Sequence, residues 1–86
     1  MENQVKICVV CHEYVHEDSI AVVFARPANS FIEAYGIMMN DMVILMEEEH
    51  VEKMNLISSF DEYENELYIA HIGETNRYYT MCVEHE

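Results

Sequence analysis

The sequence predicts an α+β domain: a small antiparallel sheet built of hairpins, one or two short helices, and termini joined by a structural zinc. Three observations lead there. Runs rich in β-branched residues come in pairs separated by turn residues, 4–11 with 19–26 and 67–72 with 77–83. The pattern Ser30-Phe31-Ile32-Glu33 is a capping box opening an apolar segment of helical spacing. Two metal-ligand dyads stand at opposite ends of the chain, Cys8-x-x-Cys11 and Cys82-x-x-His85.

The elements follow in order. Residues 4–11 form a strand, the polar stretch 12–18 turns the chain, and 19–26 returns as a second strand closed by Pro27. Ser30 caps a short helix to about Met39, with Phe31, Ala34, Tyr35 and Met38 on one face and Gly36 weakening it. Asn40-Asp41 signals a turn. Residues 42–46, Met-Val-Ile-Leu-Met, read as a short buried strand, and periodicity alone does not separate this from a buried helical turn. Residues 47–57 read as a helix with three glutamates in its first turn and with Val51 and Met54 facing inward. After the polar stretch 58–65, the last two strands form a hairpin across residues 73–76. Alternation puts Tyr79, Met81 and Val83 on one face of the final strand and Tyr78, Thr80 and Cys82 on the other.

At 86 residues the chain is expected to be one domain, too small for a hydrophobic core alone to stabilise comfortably. Three cysteines cannot all pair within one chain, and no secretory-signal pattern opens the sequence, so a reducing cytoplasm is the expected compartment. The longest apolar run, 42–46, is too short to cross a bilayer. Seventeen acidic residues against four basic ones give a net charge of −13. Direct nucleic-acid binding is disfavoured, because affinity for phosphates comes from Lys and Arg, and anionic membrane surfaces are excluded by the same argument. With 51% hydrophobic residues the chain nevertheless has the composition of a folded protein.

The two dyads supply four soft ligands, Cys8, Cys11, Cys82 and His85, the count of a closed tetrahedral zinc site with no position left for water. Three alternatives stay open. The cysteines could be core packing; Cys8-x-x-Cys11 could be a redox motif, which requires a helix N-terminus that a β-branched run does not offer; and His12 or His16 could replace His85 as the fourth ligand. If His85 binds, its second ring nitrogen needs a partner, and Glu84 and Glu86 flank it. The dyads resemble the knuckles of zinc-ribbon and treble-clef proteins, in which distant parts of a chain share one zinc. The resemblance covers residues 8–12 and 82–85; with only Glu86 after the second dyad, the ribbon geometry is the closer match. It implies a structural metal and no particular activity.

Other constellations are negative. The acidic stretch 61–66 carries Tyr63 and Glu66 where a calcium loop needs an oxygen ligand and a glycine. Two glycines cannot build a phosphate-cradling loop or a nucleophile elbow. No catalytic constellation can be named, and an enzyme is not expected. What remains is the acidity: from Asp41 to Glu66 nine carboxylates face Lys53 alone. Solubility is the plain explanation, but a charge this high destabilises the fold by self-repulsion, which suggests a functional reason for it. The sequence thus points to a non-enzymatic acidic module docking on a basic protein surface through Glu47, Glu48, Glu49, Glu52, Asp61, Glu62 and Glu64. Spaced carboxylates can imitate phosphates, so an inhibitor of a nucleic-acid enzyme is one form of this. A zinc-ribbon adaptor of a transcription, translation or repair assembly is the alternative, and a small metal or thiol enzyme a third. Tyr35, Tyr63, Tyr68, Tyr78 and Tyr79 are candidate aromatic anchors.

Overall fold

The computed structural model describes residues 6–16 and 19–84, without the side chain of His16. Its elements are β1 (Lys6–His16), β2 (Ser19–Ala28), α1 (Phe31–Glu48), β3 (Asn55–Phe60), β4 (Glu66–Ile72) and β5 (Thr75–Glu84). All pairings are antiparallel, in the order β2-β1-β5-β4-β3. The α+β class is present and so are both hairpins, but the first is longer than expected: β1 continues through 12–16, read above as turn, and β2 runs past Pro27 to Ala28.

The second hairpin is tighter than expected. Ile72 pairs with Thr75, leaving Gly73-Glu74 as a two-residue loop with Gly73 at φ 60. A positive φ at the first loop position is what a type II′ turn asks of glycine, and such a turn follows the twist of the flanking strands. The alternation read along the last strand holds, since Tyr79 and Met81 are fully buried while Tyr78, Thr80 and Cys82 are not.

The middle of the chain departs from expectation. Residues 42–46 are not a strand and 47–57 are not a helix; one helix runs from Phe31 to Glu48, and β3 follows at Asn55. The topology explains this. β2 and β3 are the two edges of the sheet, so the segment joining them must cross its whole width, about 19 Å for four strand spacings. Eighteen helical residues span about 27 Å, enough for an oblique crossing. Ala34, Met38, Met42 and Leu45, at helical spacing, are the residues buried on the way. Asn40-Asp41 does not turn the chain; Asp41 projects from the helix onto the sheet.

Both helix ends are capped. Ser30 Oγ accepts the Glu33 amide at 3.1 Å, and Glu33 reaches back one residue further than a standard capping box, to the Asn29 amide at 3.1 Å. At the C-terminus the His50 amide donates to Glu47 O and the Val51 amide to Met46 O, a Schellman motif with His50, φ 55, in the left-handed position usually held by glycine.

The core lies between α1 and one face of the sheet, where Ile7, Val9, Cys11, Ala70, Ile72, Tyr79 and Met81 meet the buried helix residues. The opposite face of the sheet has no second layer among the described residues.

Candidate functional site

β5 is the central strand of the sheet and β1 lies beside it, in a register that places Cys8 directly opposite Cys82 and Cys11 directly opposite Tyr79. Side chains alternate along a strand, so residues three apart point to opposite faces. Cys11 lies in the core on the helix face, fully buried, while Cys8 and Cys82 sit together, partly exposed, on the open face. The first dyad is therefore no knuckle. It lies inside a continuous strand and does not turn both thiols to one side, so Cys11 is not brought together with Cys8 and Cys82. His85 lies outside the described residues, and the side chain of His16 is not described; His12 is on the open face, opposite Tyr78. Among the described residues no three His, Cys, Asp or Glu side chains form a group that could hold a metal ion. The redox reading has no geometric support either, since neither cysteine of the dyad is at a helix N-terminus.

Cys11 belongs instead to a polar cluster that pins the helix to the sheet. Asp41 Oδ2 accepts from Tyr79 Oη at 2.5 Å and Arg77 Nη1 at 2.7 Å, with Cys11 Sγ at 3.9 Å, and Arg77 Nε donates to Glu13 at 3.2 Å. Burial, and then the Asp41 carboxylate, push the Cys11 thiol up to about 12. The same two causes raise the Tyr79 hydroxyl. These groups are protonated at neutral pH and their chemistry is structural. Sequence reasoning missed the cluster, because its members are 11, 41, 77 and 79 and only the fold brings them together. A second cluster docks the start of α1: Tyr35 Oη and Tyr68 Oη donate to Glu66 Oε1 at 2.8 and 2.6 Å, with the two rings edge to face.

The candidate docking carboxylates fall into two groups. Glu47, Glu48 and Glu49 end α1, and Glu49 accepts from Thr75 Oγ1, which places them beside the β4–β5 turn with Glu52 a few residues on. Asp61, Glu62 and Glu64 lie in the β3–β4 loop at the other end of β4, roughly 20–25 Å away for a strand of seven residues. They do not form one patch. Asp61 is also committed to its own loop. It accepts from the Tyr63 and Asn65 amides at 2.9 and 2.8 Å and from Asn65 Nδ2 at 3.2 Å. Slight desolvation opposes ionisation, but these bonds hold its carboxyl below the usual value. Asp41 and Glu66, at the ends of the acidic stretch, are internal. Of the candidate anchors, Tyr79 is buried, Tyr35 and Tyr68 serve the helix dock, and Tyr63 and Tyr78 remain accessible.

The open face carries a shallow cavity of about 500 Å³ lined by His12, Ile20, Val22, Leu67 and Tyr78. No described helix is long and apolar enough to cross a membrane. Compared with known proteins, the chain matches no protein-family model, and no curated protein or solved structure matches it either.

Proposed function

We propose that this protein is a non-enzymatic acidic module that occupies a basic, nucleic-acid-binding surface of another protein. One observation carries the reading. Glu47, Glu48 and Glu49 stand at the C-terminal end of the helix, with no basic residue in its last turn. That end of a helix carries the negative pole of the macrodipole, so three carboxylates there cost stability. They are exposed and, apart from the Glu49 bond to Thr75, free to meet a partner. The ion pairs of Asp41 and Glu13 are both spent internally on Arg77 and neutralise none of the displayed charge. Two carboxylate groups separated by the length of β4 suit a groove that contacts phosphates at intervals.

The test is affinity capture from host extract, followed by competition. A basic partner should be retained by the wild-type protein, released by added DNA or RNA, and lost with the triple charge reversal Glu47→Lys, Glu48→Lys, Glu49→Lys. Retention of the partner by the reversed variant, or indifference to nucleic acid, would remove this reading.

A further inference from the structure

We propose that Cys8 and Cys82 are a modification site, a pair of thiols that a small disulfide oxidises to a reversible cross-strand bond between β1 and β5. This goes beyond the acidic docking reading and uses none of its carboxylates.

Position carries it. The two cysteines come from opposite ends of the sequence, yet the antiparallel register sets them directly opposite each other on adjacent strands. Residues so placed point to the same side of a sheet, here the open one, and both thiols are free and partly exposed. A reagent can therefore reach them. Directly opposite Cα atoms lie about 4.5 to 5.5 Å apart, inside the roughly 4.4 to 6.8 Å that a disulfide spans, so bonding needs little movement of the strands. The Val83 amide donates to the Asn65 side chain, on the β4 side. Backbone groups alternate in direction along a strand, so Cys82 turns its own amide and carbonyl toward Cys8, and the pair is of the hydrogen-bonded, wider kind. Its separation of about 5.5 Å is also among the commonest in disulfides.

The same rules exclude the other pairings. Cys8 and Cys11 belong to one strand, about 10 Å apart between Cα atoms, and face opposite sides. Cysteines more than about 7 Å apart cannot be bridged with the backbone in place. Cys11 is also fully buried in the core, opposite Tyr79. Thiol chemistry thus falls to a pair that only the fold brings together.

The pair suits a labile bond better than a permanent staple. Opposite Cβ atoms sit about 4.5 to 5.5 Å apart, toward the upper value in the wider kind of pair, and must close to about 3.8 Å. A disulfide formed under that demand, at a partly exposed place, is readily reduced again. In the forward direction one cysteine thiolate attacks a small disulfide and releases one thiol. The facing cysteine gives up its proton and attacks the protein sulfur of the mixed disulfide, releasing the second thiol. Two electrons and two protons pass from the cysteines to the small disulfide. Burial, then Cys8 and Asp61 nearby, push the Cys82 thiol up, so mildly alkaline pH speeds the exchange.

The test treats the full chain at about pH 8.5 with hydroxyethyl disulfide, an uncharged oxidant that the net charge of −13 does not repel. Intact mass should fall by two hydrogens, and peptide mapping without reductant should link Cys8 to Cys82, with Cys11 alkylated only after unfolding. Cys8→Ser and Cys82→Ser should each keep one reagent-derived adduct instead, and either variant serves if the other does not fold. Mercaptoethanol at about 5 mM should restore both thiols of the wild-type protein. Separate adducts on Cys8 and Cys82, a bond involving Cys11, or a link between two chains would overturn the proposal. So would a bond that mercaptoethanol leaves intact, which would make it a permanent staple, or thiols that react only after a chelator is added, which would assign them to a metal.

Discussion

Cys8 and Cys11 differ in chemistry because an odd spacing in a strand sends them to opposite sides of the sheet, one into the core and one to the open face. A thiol reagent at neutral pH should therefore modify two of the three cysteines in the native protein, with Cys11 reacting only on denaturation; three equally fast thiols would contradict the buried assignment. The same residue sets an alkaline limit. Its folded proton is held up to about 12 against an ordinary value of 9.0, so between these the native state binds more protons than the unfolded chain. Stability is then complete below about 9 and falls as pH rises further. Tyr79 and Tyr68, both raised, act in the same direction, the latter chiefly through its bond to Glu66. Denaturation midpoints from about pH 8 to pH 11 should decline, less steeply in Cys11→Ala once its lower starting stability is allowed for. Asp41→Asn tests the cluster around it. It leaves the largely buried Arg77 with only Glu13 as counter-ion and should cost roughly 3 kcal/mol of stability by denaturant unfolding. A change under about 0.5 kcal/mol would mean that the Asp41 contacts do not fasten the helix.

Among the elements, those whose evidence is local were legible in the sequence. Paired β-branched runs gave both hairpins, and Ser30 with Glu33 marked the helix start to the residue. The segment from Asn40 to Ile57 was not legible, because its structure is decided by distance across the sheet. Residues 42–46 have strand-like composition, yet Met42 and Leu45 continue a buried stripe begun at Ala34 and Met38. Glu47, Glu48 and Glu49 look like a helix start from sequence, and they close one instead. The first dyad was misread as a knuckle for a related reason. Two-residue spacing makes a knuckle only where the backbone turns, and β1 runs straight through Cys8 and Cys11 to its bulge after Cys11. Two substitutions probe α1. Gly36 is exposed, and a methyl group added there would meet open space, so Gly36→Ala should stabilise by about 1 kcal/mol. His50→Gly relieves a left-handed residue in the Schellman motif and should add about 1 kcal/mol. Loss of stability in either variant would show that the side chain or its absence has a contact the fold does not account for.

At the scale of the whole molecule, charge and apolar surface are segregated. The candidate docking carboxylates lie at the helix end and in the β3–β4 loop, while among the described residues the centre of the open sheet face carries none. The acidity opposes folding by self-repulsion, so screening should raise the melting temperature modestly as salt increases. Docking by the carboxylates should respond in the opposite sense, because exposed charges are screened beyond about 8 Å at physiological ionic strength. The most direct test of the acidic-module account is the association rate of the captured partner measured between about 50 and about 500 mM salt. A fall of on the order of tenfold or more, alongside a rising melting temperature, is the result the account predicts. An association rate that stays flat across that range would contradict it.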